Sequence, residues 1–208
     1  MKMLRTKRGS MRTAALVAVA LTIAAAAGAT TLERMSLAKM AVAAPVIVRA
    51  RCTGNSVARD EGEIWTFTTF NVEETWRGSA STQISVRLLG GRMAEVTSHV
   101  SGVPRFTPGE DVVLFVQPTT RGDYSIVSWE QGTFRIHQQA YGHGNYGQES
   151  DAQEPSGAQA LVTQDTAAFA TFDPATRQFR PAGIRNMPLD EFRARVKAAL
   201  QSAEVKQP

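Results

Sequence analysis

The sequence predicts a mainly β fold: a small antiparallel barrel of five to six strands, entered by a short N-terminal helix and followed by an amphipathic C-terminal helix. Three observations carry this. Over residues 46–136 apolar side chains alternate in short runs broken by Gly, Pro, Ser and Asn, with no long helical stretch between them. Val112-Val113-Leu114-Phe115-Val116 is apolar throughout and bounded by Asp111 and Pro118, the pattern of a central strand buried on both faces. Leu189, Phe192, Val196 and Leu200 recur at helical spacing, a stripe that has to dock on something.

The elements follow in order. Residues 1–29 read as a secretory signal peptide. Lys2, Arg5, Lys7, Arg8 and Arg12 form a basic start without acids, an uncharged alanine-rich run follows, and Ala27-Gly28-Ala29 is a small-x-small cleavage triplet. The apolar run is shorter than the roughly 20 residues a spanning helix needs, so the expectation is cleavage and no membrane attachment afterwards. The leader also distorts the charge. The whole chain has 23 Lys+Arg and 19 Asp+Glu, but five of the basic residues and none of the acids lie in the leader. Without it 18 basic residues face 19 acids, and the apparent basicity that would suggest nucleic acid disappears. The expected location is periplasmic or extracellular.

Residues 30–45 read as a short helix with a ragged apolar side of Leu32, Met35 and Met40, stopped by Pro45. In residues 46–52 the period changes to two. Val46, Val48, Ala50 and Cys52 take one face, Arg49 and Arg51 the other, and Thr53-Gly54-Asn55-Ser56 reads as a turn. Residues 64–76 form a long strand rich in threonine and aromatics, which suit a pleated surface. Ile84, Val86 and Leu88 alternate in the next strand, which Gly90-Gly91 ends; residues 93–100 read as a weaker, partly exposed strand, and Pro108-Gly109 as a turn. Residues 124–129 and 133–136 complete the barrel. Residues 137–158 are Gly, His and polar, a flexible loop by composition. The remainder, residues 159–208, reads as a hairpin turning at Asp173-Pro174-Ala175-Thr176, then a helix capped by Asn186 with Pro188 in its first turn.

The segments AAPVIVRARC, TFTTFNVEETWRG and FTPGEDVVLFV, in that order, resemble netrin-like and tissue-inhibitor-of-metalloproteinase-like domains, and exported bacterial proteins of unassigned function with the same spacing. The resemblance covers about residues 35–136. It implies an OB-like five-stranded barrel with appended helices. Inhibitors of that family chelate the zinc of a protease with a cysteine at the mature N-terminus. A chain starting near Thr30 has none there, so that mechanism is not carried over, and neither are the family's disulfides: Cys52 is the only cysteine. Its alternation with Val46, Val48 and Ala50 places it on a buried strand face.

Catalytic motifs are absent from the sequence, and no catalytic residue, metal or cofactor is assigned. Gly142-His143-Gly144-Asn145-Tyr146-Gly147 matches G-x-G-x-x-G, but no apolar helix follows to hold a pyrophosphate. His137 and His143 are the only metal candidates, with Glu149 or Asp151 as partners; six residues apart in a loop, they fix no geometry. Glu73-Glu74, Asp60-Glu61 and Asp190-Glu191 read as surface acids.

What remains is a non-enzymatic binding module recognising an envelope or secreted protein. Its expected surface comprises Arg49, Arg51, Trp65, Trp76 and the loop of residues 93–106 with Arg105 and Phe106, since Trp and Arg are the commonest interface anchors. Two other classes are a metal-dependent hydrolase using the histidine loop and a structural component of the cell envelope.

Overall fold

The computed structural model describes residues 32–139, 159–164, 171–173, 176–180 and 183–205. The leader and the glycine-rich segment with His143, Glu149 and Asp151 lie outside the described residues, as do Pro174 and Ala175 of the expected hairpin turn.

The first elements are β1 (Leu32–Glu33), α1 (Leu37–Ala43), β2 (Val46–Asp60) and β3 (Glu63–Arg77). After them come β4 (Gln83–Leu89), the small hairpin β5 (Gly91–Met93) and β6 (Val96–Ser98), then β7 (Asp111–Pro118), β8 (Tyr124–Ile126) and β9 (Thr133–Gln139). The chain ends with β10 (Gln159–Gln164), β11 (Thr171–Asp173), β12 (Gln178–Arg180), β13 (Met187–Pro188) and α2 (Leu189–Glu204). The fold is mainly β with a short helix near its start and a helix at its end.

The strands outnumber the expected five to six, and the main sheet does not close as a barrel. Its eight strands run β13-β10-β9-β7-β2-β3-β4-β8. Within it, β7 gives one edge to β2 and divides the other: Asp111 to Leu114 pair with β9, while Val116 to Pro118 pair with β8. Strand β8 also meets β4 in parallel, at the single pair Val86↔Tyr124. The pairings β2-β3-β4-β8-β7 thus come back to β2, while β9, β10 and β13 extend away from β7.

Alternation in β2 and β7 feeds two cores. Val48, Ala50 and Cys52 with Val112, Leu114 and Val116 face Phe70, Val86 and Leu88 on one side. Ile47, Val113 and Phe115 face Phe134, Val162 and the helices on the other, where Met40, Ala41, Leu189, Phe192 and Val196 are buried and Leu200 is partly so. The stripe read from the sequence is the face α2 docks with. Arg77 closes the C-terminal end of α1, donating to the carbonyls of Val42 at 3.0 Å and Ala44 at 2.8 Å, and to that of Ala41.

Several expected boundaries move. Helix α1 begins at Leu37, because Ser36 caps it by accepting from the Lys39 N–H, and Leu32–Glu33 pair with β11 instead. Thr53-Gly54-Asn55-Ser56 does not turn the chain. A register shift between Cys52 and Gly54 is absorbed in the ladder, and β2 runs on to Asp60. The reversal falls at Glu61 (φ 50°) and Gly62 (φ 87°), both left-handed, as a two-residue hairpin with strand-matched twist requires. In place of one strand over residues 93–100, the β5–β6 hairpin occupies residues 91–98. His137 belongs to β9, not to a loop. Residues 159–164 join the main sheet, while β11 and β12 form the hairpin. Asn186 is not the cap of α2: Pro188 occupies that position, and the Asn186 side chain accepts from the Thr163 hydroxyl at 3.2 Å.

Candidate binding face

Most of the residues expected to form a recognition surface are used internally. Arg49 projects from β2 toward β7 and β3. Its Nε and Nη2 donate to the two Asp111 carboxylate oxygens at 3.2 and 2.6 Å, and Nη1 donates to Glu74 at 3.2 Å. The bond to Asp111 raises the pKa of the guanidinium, burial opposes this, and the Asp111 charge, the Glu74 hydrogen bond and the Glu73 charge add to the rise. Arg51 donates to Glu73 at 3.1 Å and to the Gly109 carbonyl at 3.3 Å. The Trp76 ring lies 5.9 Å from that of Phe192 and 5.2 Å from the Arg193 guanidinium, and its indole N–H donates to Glu74 at 3.2 Å. Arg193 also binds Glu74. Burial pushes the Glu74 carboxyl up, but Trp76, Arg49 and Arg193 together hold it below its ordinary value. Arg49, Arg51 and Arg193 are thus paired with Asp111, Glu73 and Glu74, and Arg193 links this network to α2. Glu73 is exposed, as its reading as a surface acid expected, and Glu74 is half-buried; both carry ion pairs in this network. Phe106, expected on an exposed loop, is buried edge-on against Phe70 at 5.0 Å.

Trp65 is placed differently. In β3 the even positions Ile64, Thr66, Thr68 and Phe70 are buried, so Trp65 and Phe67 fall on the opposite face. Phe67 lies directly across from Arg87 of β4, and Trp65 pairs with Leu89 two residues on. Cross-strand neighbours of this kind are close enough for a long side chain to reach both rings. The Arg87 guanidinium lies 4.3 Å from the Trp65 ring centre and 5.7 Å from that of Phe67. It donates to Asp60 at 2.6 Å, and its Nε sits 3.5 Å from Asp123. Arg121 donates to the same Asp60 oxygen at 2.6 Å and also binds Glu61. The turn after β2 and the loop after β7 are thus tied across the edge of an aromatic and guanidinium platform. The Arg87 hydrogen bond is the main reason the Asp60 carboxyl is held below its ordinary value; burial opposes it and Arg121 assists.

Beside the platform opens a cleft of about 160 Å³, walled by Trp65, Arg87, Leu89 and Val103 and bounded by Trp129. Trp129 is one of the few large apolar side chains left exposed, at 36%. It is held there by unusual backbone: Ser128 (φ 56°) and Trp129 (φ 54°) are consecutive non-glycine residues in the left-handed region. That conformation costs about 1–2 kcal/mol per residue, and such strain concentrates at functional positions. The turn is tight as well, since a Cβ on Gly132 would stand 2.2 Å from the Val127 carbonyl oxygen.

Sequence reasoning selected Trp65 but missed Arg87 and Trp129. Arg87 could have been found only from the β3–β4 register, and nothing in the local sequence marks a left-handed Ser-Trp pair. Arg105 lies apart, at the mouth of a second pocket. His137 faces Asn186 at 3.2 Å. Among the described residues no three His, Cys, Asp or Glu side chains converge as metal ligands would. Cys52 is buried between β2 and its neighbours, and loss of solvent pushes its thiol up. No family model matches the chain, and no curated protein matches it.

Proposed function

We propose that the protein is an exported, non-enzymatic binding module, acting in the periplasm or outside the cell, that holds an envelope or secreted protein on the Trp65–Arg87–Trp129 face. The observation that carries this reading is the strained presentation of Trp129 across an apolar cleft from an Arg-stacked Trp65. Trp and Arg in a partly desolvated pocket are the commonest binding anchors. The strand pairing supports an OB-like reading of the core, and with it the netrin-like kinship. Strands β2, β3, β4, β7 and β8 taken as first to fifth are ordered 1-2-3-5-4, with the third and fifth parallel. That class is a partly open five-stranded Greek-key barrel, and it binds through the face of its second and third strands and the flanking loops. Trp65, Phe67 and Arg87 occupy that face here, and Glu61 and Arg121 the loops.

The test is affinity capture from the native extracytoplasmic fraction with the chain from Thr30 onward as bait. Trp129→Ala is expected to weaken the captured complex about thirtyfold, the effect of losing a 2 kcal/mol anchor, without lowering thermal stability. Trp76→Ala, which alters the other face, is expected to leave capture intact once the protein is folded. Retention of the same partner by Trp129→Ala at unchanged affinity refutes the assignment.

A further inference from the structure

A second pocket, of about 220 Å³, lies where the β5–β6 hairpin folds against the far ends of β2 and β3. Its walls are Val57, Leu88 and Phe106. The polar groups of its floor are engaged with one another: the Thr68 hydroxyl donates to Asn55 Oδ1 at 2.6 Å, and Asn55 Nδ2 to the Phe106 carbonyl at 2.8 Å. The Thr66 hydroxyl donates to the Gly90 carbonyl at 2.7 Å. The hairpin comes this close because residue 91 is glycine. A Cβ there would stand 2.7 Å from Thr66 Oγ1 and 3.0 Å from Val57 Cγ1, and its φ of +153° disfavours any side chain. A lining of apolar walls over a satisfied polar floor accepts an apolar body.

The mouth is charged, and the charge is one-sided. Arg49, Arg51, Arg87, Arg121, Arg135 and Arg193 each form ion pairs with acids. Arg92 and Arg105 at the mouth of this pocket have no acid among its lining residues. Among the described residues Arg105 donates only to the Ser98 carbonyl, at a long 3.3 Å. Guanidinium groups lacking a carboxylate partner, set at the rim of an apolar pocket, are matched by a ligand that brings its own.

We propose that this pocket binds a small amphipathic carboxylate, its apolar body between Val57, Leu88 and Phe106 and its carboxylate at Arg92 and Arg105. An apolar cavity of about 150 Å³ takes up benzene, so a pocket of about 220 Å³ has room for a body of about five carbons, and hexanoate is the probe. The experiment titrates isotope-labelled protein, recovered after export, with hexanoate, hexanol and acetate, following the backbone amides of Val57, Thr66, Gly91 and Phe106. Hexanoate is expected to shift these amides saturably. Hexanol is expected to bind about tenfold more weakly for want of the charge-assisted bonds, and acetate more weakly still for want of the body. The double variant Arg92→Gln/Arg105→Gln, both changes at exposed side chains, is expected to erase the preference for hexanoate over hexanol while leaving hexanol binding as it was. Arg92→Glu alone is expected to weaken hexanoate further than Arg92→Gln. Equal binding of hexanoate and hexanol, no saturable shift with hexanoate, or hexanoate affinity unchanged in the double variant each overturns the proposal.

Discussion

Phe192→Ala tests whether α2 is part of the fold or an attachment to it. The Phe192 ring is fully buried, with its centre 4.7 Å from that of Phe134 and 5.9 Å from that of Trp76. Removing a buried phenylalanine side chain costs about 3–5 kcal/mol. Two ring contacts, each contributing about 0.5–1.5 kcal/mol beyond area, place this case toward the top of that range. Whole domains are stable by only about 5–15 kcal/mol, so the variant loses a large share. With a urea dependence of about 2 kcal/mol/M, the midpoint is expected to fall by about 1.5–2.5 M. The assay is urea unfolding followed by circular dichroism, with wild type and variant compared at equal slope. Leu200→Ala, at the half-buried end of the same stripe, is the internal comparison and is expected to cost about 1 kcal/mol. A Phe192→Ala midpoint within about 0.5 M of wild type would show that α2 contributes little to the core, and the reasoning from burial would be wrong.

Two further outcomes follow from the titratable groups. The Asp60 carboxyl is held below its ordinary value chiefly by Arg87. Its contribution is therefore complete above the unfolded value near pH 3.9 and is lost as pH falls through the lower folded value. Urea midpoints of Asp60→Asn are expected to lie below wild type at neutral pH and to converge with it below about pH 4; curves that stay parallel into acid refute the pairing. Cys52, at 2% exposure with its thiol pushed up by desolvation, is expected to resist iodoacetamide in the native protein and to react fully in urea. Rapid native labelling, read by mass, would contradict its place in the core.

Legibility of the fold tracked the range of the forces involved. The apolar run of β7, the alternation of β2 and the stripe of α2 each report a burial pattern set by period alone, and all three stand in the structure. The turn expected at Thr53-Gly54-Asn55-Ser56 failed because the composition that favours turns also fits a strand with a bulge. Glu61-Gly62 turned instead because its neighbours pair. Residues 159–164 were expected to belong to a hairpin; their pairing with β9 was hidden because β9 lies across a long polar segment. The same distinction governs the site. Trp65 was visible as an aromatic on a strand, whereas the role of Arg87 depends on cross-strand register. Arg49 and Trp76 looked available in sequence because the groups that engage them, Asp111 and Phe192 with Arg193, arrive from β7 and α2.

The division of β7 between two partners bears on the order in which the chain can be finished. A chain emerges from its N-terminus, so Phe134, whose ring centre lies 4.7 Å from that of Phe192, is made while α2 is still to come. Until Leu189, Phe192 and Val196 appear, the core around Ile47, Phe115 and Phe134 lacks three of its buried side chains. The strands from β2 to β8 can be complete in sequence and still be sticky. The last helix therefore completes this core after every other described element has been made. A premature stop ahead of Leu189 is expected to yield an aggregating product on size-exclusion chromatography, even though every residue of the candidate binding face has already been made.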